Sequence, residues 1–143
     1  MSKTNSAENS YIDLVFNATA WANIADNTAT SPLTNLYVSL HTADPGEAGS
    51  QTTNECAYTS YARVAVARTS GGWTVSGNQA SNAALVTWPK ATGGSETATH
   101  FGIGSLTSGA GVLYYYGALT ANLAISDQIT PEAAIGALTV TED

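Results

Sequence analysis

Few residues of this chain could carry acid–base or nucleophilic chemistry: it has two histidines, His41 and His100, and one cysteine, Cys56. His41 and Asp44 stand close enough along the chain to resemble a general base and the carboxylate that orients it. Asp44, however, directly precedes Pro45, where a turn carboxylate commonly accepts backbone N–H groups. We therefore predict an ordinary turn here, and a hydrolase using this pair ranks last among the candidate functions.

The same scarcity argues against a metal or cofactor site. The two histidines lie far apart with no further ligand at zinc spacing, and no EF-hand pattern is present. Cys56 follows Glu55 and lacks the positive surroundings that activate a thiol. Gly102 and Gly104 lack the third glycine and following helix of a dinucleotide fingerprint, which favours a bulge or a close backbone approach. We predict no catalytic residues, no metal and no cofactor.

The elements that hold these residues begin with a helix. Asn5 followed three residues later by Glu8 resembles a capping box, and apolar residues recur at helical spacing from Tyr11 onward. The pattern predicts a helix over roughly Ser6 to Ile24, within a helical segment 1–25. Its broad apolar face needs cover on more than one side, from its own sheet or from another chain.

The remainder, 33–143, has the period of two that is typical of strands. In the first strand Leu36, Val38 and Leu40 alternate with Tyr37, Ser39 and His41. In the second, we expect Val64 and Val66 to point inward and Arg63 outward. The predicted strands cover residues 36–41, 61–68, 73–75, 85–88, 97–104, 112–117, 123–126 and 135–141. One helix and seven to eight strands predict a mainly β single domain, 1–143, folded as an antiparallel β-sandwich or jelly-roll-like barrel.

Charge is unusually scarce. Only 10% of the residues are charged, against about 25% in an ordinary soluble domain, so the surface must consist largely of small polar and aromatic side chains. Such a surface costs little to desolvate when another subunit docks. The four basic residues form no cluster and the net charge is −7, which argues against nucleic-acid partners and anionic membranes. We found no apolar run of membrane-spanning length and no signal-peptide pattern, and expect synthesis in the cytosol.

Several aromatic and polar residues are therefore candidates for subunit contacts. In the segment 112–116 both faces of the predicted strand are apolar or aromatic, so one set packs on the core and the other faces something else. Tyrosine suits a protein contact because its ring supplies area and its hydroxyl keeps a polar partner. A strand packed beneath a loop or helix of the same chain is the equal alternative. The interface candidates are Tyr11, Phe16, Trp21, Tyr37, His41, Asp44, Tyr114 and Tyr116.

Five stretches carry a resemblance to a known family. They are 36–49, with Leu-His-Thr-Ala-Asp-Pro-Gly-Glu at its centre, 61–66 with Gly71-Gly72-Trp73, 99–103, 111–120, and 129–131 with 136–141. Together they resemble a family of small tailed-bacteriophage virion proteins, often labelled phage tail fibre proteins. The resemblance spans nearly the whole chain and brings no catalytic residues with it.

The resemblance implies a structural component of the virion. As a capsid or neck decoration protein, the chain would hold neighbouring virion proteins together. As a tail-fibre or adsorption component, it would contact the host surface, for instance as a carbohydrate-binding module with Trp73, Trp88 or the tyrosine run as its platform. The compact chain, with neither repetitive shaft nor coiled-coil seam, favours decoration. A homo-oligomer, a trimer or a dimer, is expected because a small subunit gains interface area by closing a symmetric ring.

Overall fold

The computed structural model describes residues 5–21, 25 and 32–142. Helix α1 covers Asn5–Asn17. The nine strands of the described residues are β1 Asn35–His41, β2 Val64–Ala67, β3 Trp73–Ser76, β4 Gln79–Asn82, β5 Val86–Thr87, β6 Glu96–Gly104, β7 Leu113–Ile125, β8 Glu132–Ala133 and β9 Thr139–Thr141. The predicted mainly β fold with one N-terminal helix is confirmed. No helix of the described residues has the length and apolar character needed to cross a membrane.

Helix α1 is shorter than the sequence pattern predicts. It covers Asn5 onward and ends at Asn17 rather than near Ile24, because Ala18 takes a left-handed φ of 53°. The N–H of Thr19 donates to the carbonyl of Asp13 at 3.1 Å, which satisfies one of the carbonyls that the end of the helix leaves without an intrahelical partner. The apolar periodicity beyond Asn17 therefore does not continue the helix. Residues 22–24 of the predicted helix lie outside the described part of the chain.

The strands form antiparallel sheets. The largest has the order β2-β1-β6-β7, a second has the order β3-β4-β9, and β5 pairs with β8. The strands predicted at 112–117 and 123–126 are one long strand, β7, and the strand predicted at 135–141 begins only at Thr139. β4 and β8 were not predicted. The pairing of β7 with β6 shifts register twice, so that Tyr114 is an extra residue between the Leu113–Gly104 and Tyr115–Ile103 pairs.

The core lies between the large sheet, the three-stranded sheet and α1. Leu36, Val38 and Leu40 of β1 are buried as their alternation predicts. From α1, Ile12 and Phe16 are fully buried, and the Phe16 ring lies 4.7 Å from that of Trp73 in edge contact. The Phe16 face of the helix therefore packs on the strands and is not available to a partner.

Candidate partner-binding site

His41 and Ser39 form a hydrogen-bonded pair inside the protein. Nδ1 of His41 lies 2.8 Å from the Thr53 carbonyl, which can only accept, so this nitrogen carries the proton. Nε2 lies 2.8 Å from Oγ of Ser39 and accepts the hydroxyl proton. The bond resembles that of a Ser–His nucleophile, but both side chains are fully buried. The pair thus pins the 42–55 loop to the sheet.

Asp44 and Cys56 behave as the sequence predicts. Oδ1 of Asp44 accepts the N–H of Gly46 at 2.8 Å, which confirms the turn. Burial, together with the nearby Glu96 carboxylate, raises the pKa of the Cys56 thiol to about 12. The thiol is therefore protonated at neutral pH and unsuited to nucleophilic attack.

The burial of His41 makes stability sensitive to acid. Desolvation lowers the pKa of His41 below 6.5, as do Arg63 and His100; the Thr53 carbonyl and Glu55 oppose this. Because the unfolded chain binds the proton more readily, this contribution to stability is complete above the unfolded pKa of about 6.5 and is lost as pH falls below it. We expect the urea midpoint to fall between pH 7 and pH 5, with a smaller fall in His41→Gln. Equal pH dependence in the two proteins would contradict this assignment.

Arg63 is buried, contrary to the outward orientation that strand alternation predicts. Its side chain is 2% exposed, and Nε and Nη2 donate to the two carboxylate oxygens of Glu55 at 2.6 and 2.7 Å. The same guanidinium donates to the carbonyls of Leu106 and Gly109 at 2.9 and 2.7 Å. β2 begins only at Val64, so alternation does not govern Arg63. The pair is instead a clamp on the loop between β6 and β7.

Gln51 holds the same loop from a second side. Its side chain is fully buried, Nε2 donates to the Leu106 carbonyl at 3.2 Å, and Oε1 accepts the Leu106 N–H at 2.9 Å. A Cβ at Gly104 would overlap the Gln51 side chain, so the expected close approach at the glycine pair is confirmed. The sequence did not predict the role of Gln51. Its one local signal was the glycine pair, because a glycine leaves room for a side chain from another segment.

The interface candidates divide by exposure. Phe16 and His41 are fully buried and therefore do not line the surface. Asp44 is exposed, and Trp21, Tyr37 and Tyr116 are half-buried. Tyr11 and Tyr114, which are 37% and 44% exposed, lie on different elements yet line one cavity. The fold brings together these two of the eight candidates.

This cavity, the Tyr11–Tyr114 cavity, has a volume of about 300 Å³. Its walls come from α1, from β1 and the segment that leads into it, from the residue that follows β2 and from the start of β7. The lining residues are Tyr11, Leu14, Val15, Pro32, Leu33, Leu36, Arg68 and Tyr114. Tyr114 is the extra residue of the β7 register shift, and such bulges commonly redirect a side chain. The cavity is thus mainly apolar and has two phenols and one cation.

Arg68 is the cation of the cavity and also fixes its shape. Its guanidinium donates to the carbonyls of Leu14, Val15 and Leu33 at 2.6 to 2.7 Å. The first two carbonyls belong to the last turn of α1, where a cation offsets the helix dipole. Among the described residues no carboxylate forms an ion pair with Arg68, and three of its five N–H groups are used. Donor capacity therefore remains for an anion.

The aromatic platform of a carbohydrate-binding module is largely missing from the surface. Trp73 and Trp88 are fully buried, and the Trp88 indole N–H donates to the Val38 carbonyl at 3.2 Å. Of the predicted platform residues, the tyrosine run alone keeps exposed ring surface, mainly at Tyr114. The two tryptophans are therefore part of the hydrophobic core.

The chain is an antiparallel β-sandwich. Its buried polar residues fix its loops, and exposed tyrosine rings border a surface cavity. These features define a structural module with fixed surfaces. The family model described as Podophage GP4 fiber I protein gp80 matches residues 2–141, and the chain belongs to this family. The resemblance to phage tail fibre-type proteins is confirmed, and the protein is a structural component of the phage virion that associates with other virion proteins. Comparison with curated proteins gives no match.

Proposed function

We propose that this protein is a non-enzymatic decoration or cement subunit of the capsid or neck, which binds neighbouring virion proteins and assembles as a homo-oligomer. The Tyr11–Tyr114 cavity carries this proposal, because an aromatic, mainly apolar cavity on a charge-poor surface is what a subunit contact requires. Tyr37, Tyr116, Trp21 and Asp44 are proposed as further contact residues, since each keeps exposed surface.

A second candidate is a fibre or adsorption component, which the description of the family favours. The loop between β6 and β7 supports it. Leu106 and Val112 are 47% and 55% exposed, while Arg63 and Gln51 hold the backbone between them from inside. A rigid loop with exposed side chains suits recognition, because less entropy is lost on binding.

Electron microscopy of labelled particles separates the two functions. Virions that carry a tagged copy of the protein are labelled with gold-conjugated antibody, with untagged virions as the control. We expect label on the capsid or neck, because a cement subunit is bound between the virion proteins that form these parts of the particle. Label confined to the distal ends of fibres would contradict the decoration role and support the second candidate.

A further inference from the structure

One exposed apolar side chain of the described residues stands out from the others. Ile135 is 70% exposed, the largest value among the large hydrophobic residues. It lies in the turn between β8 and β9, which is closed by the N–H of Ala137 donating to the Ala134 carbonyl at 3.0 Å. Gly136 follows with a φ of +75°, the value that the third position of a type II turn requires. Ile135 is thus displayed at the tip of a tight turn.

Buried hydrogen bonds fix this turn. Nδ2 of Asn82, a residue that is 1% exposed, donates to the Ala134 carbonyl at 2.8 Å. Oδ1 of Asn82 accepts the Leu138 N–H at 2.9 Å, and its backbone carbonyl accepts the N–H of Gly136 at 2.9 Å. The core therefore holds a solvated isoleucine in one place, and a preorganised apolar group binds with little further loss of entropy.

Carboxylates accompany Ile135. Glu132 lies three residues before it, in β8, and is exposed, as is Asp127 in the preceding turn. Arg68 in the Tyr11–Tyr114 cavity has three of its five N–H groups on backbone carbonyls of described residues, and the other two have no acceptor within the part of the chain that the structure describes. The Ile135 turn thus offers an apolar side chain near the Glu132 carboxylate. The Tyr11–Tyr114 cavity offers an apolar lining with the Arg68 cation.

We propose that the Ile135 turn of one copy inserts into the Tyr11–Tyr114 cavity of a second copy, with Glu132 directed to Arg68. This rests on the self-association proposed above and specifies the surfaces that perform it. Because the two surfaces differ, the contact is head-to-tail, and repetition closes a ring when the rotation between copies allows it. Burial of the Ile135 side chain against the apolar lining residues of the cavity supplies affinity. The Glu132–Arg68 ion pair fixes the orientation of the two copies.

The first test measures self-association of Ile135→Ser by size-exclusion chromatography with light scattering and by sedimentation equilibrium. Leu85→Ser is the matched control, because Leu85 is 51% exposed, does not line the cavity and belongs to a different segment from the Ile135 turn. We expect Ile135→Ser to weaken association at least about tenfold, while Leu85→Ser leaves it unchanged. A monomeric wild-type protein, or equal association of both variants, would overturn the proposal.

The second test identifies the occupant of the cavity. Ile135→Cys and Tyr114→Cys are purified separately, mixed and treated with a short bis-maleimide; the native Cys56 is buried and does not compete. We expect a covalent heterodimer from this mixture and none from Leu85→Cys with Tyr114→Cys. Equal yields from both mixtures would refute insertion of the turn. The virion role is tested separately by the position of the gold label, so the two proposals fail independently.

Discussion

Arg63→Met is expected to lower the free energy of unfolding by about 3–5 kcal/mol, the cost of removing one partner of a buried ion pair. The substitution leaves the Glu55 carboxylate, whose side chain is 14% exposed, without its counter-charge. It also removes the donors that satisfy the carbonyls of Leu106 and Gly109. Methionine keeps the aliphatic volume, so the loss reports on charge and hydrogen bonds rather than on a cavity.

Urea denaturation followed by tryptophan fluorescence measures this effect. Lys90→Met is the matched control, because Lys90 is exposed and donates only to Gln128 among the described residues; we expect a change within about 0.5 kcal/mol. Hydrogen exchange should also accelerate at the amides of 105–112 in Arg63→Met. A loss no larger than that of Lys90→Met, with unchanged exchange, would show that the clamp does not stabilise the loop.

Gly104→Ala is expected to cost about 3 kcal/mol, since overpacking costs about 1–3 kcal/mol and an orphaned buried polar group about 1–3 kcal/mol. The new methyl group would occupy the space of the Gln51 side chain. Gln51 cannot move aside without breaking both hydrogen bonds to Leu106. The substitution therefore forces the 42–55 loop away from the loop between β6 and β7.

A double-mutant cycle attributes the cost to that overlap. In a Gln51→Ala background the methyl group meets a shorter side chain, so Gly104→Ala should cost much less than in wild type. Gly71→Ala is the matched control, because its Cβ would meet only Thr69 Oγ1, at 3.6 Å, and no left-handed φ is needed there. If Gly104→Ala costs the same in both backgrounds, the overlap with Gln51 is not the cause.

Both substitutions act on one structural unit, the pair of loops joined by Gln51, Glu55 and Arg63. The contacts to Leu106 bridge 55 residues of sequence from Gln51 and 43 from Arg63. Such long-range bonds carry a large ordering cost, and the buried groups that make them are costly to leave unpaired. The unit thus explains how a loop of small residues holds exposed Leu106 and Val112 in fixed positions.

Much of the fold was predictable from local pattern. The presence of α1, the core face of β1 and the Asp44 turn follow from apolar periodicity, a period of two and the residues around Pro45. The end of α1 was not predictable, because the apolar periodicity continues past Asn17 while the backbone takes a left-handed conformation at Ala18. For the cavity, the sequence singled out Tyr11 and Tyr114 as contact candidates but not their proximity.

The sequence by itself determined the secondary-structure class, the buried faces of the main strands, the scarcity of charge and the resemblance to a virion protein family. These properties depend on neighbouring residues and on composition, which a single sequence displays directly. Only the tertiary structure decided that Arg63 turns inward, that Gln51 fills the space beside Gly104, and that Tyr11, Arg68 and Tyr114 share a cavity. Each depends on segments distant in sequence, which come together only once the sheets have formed.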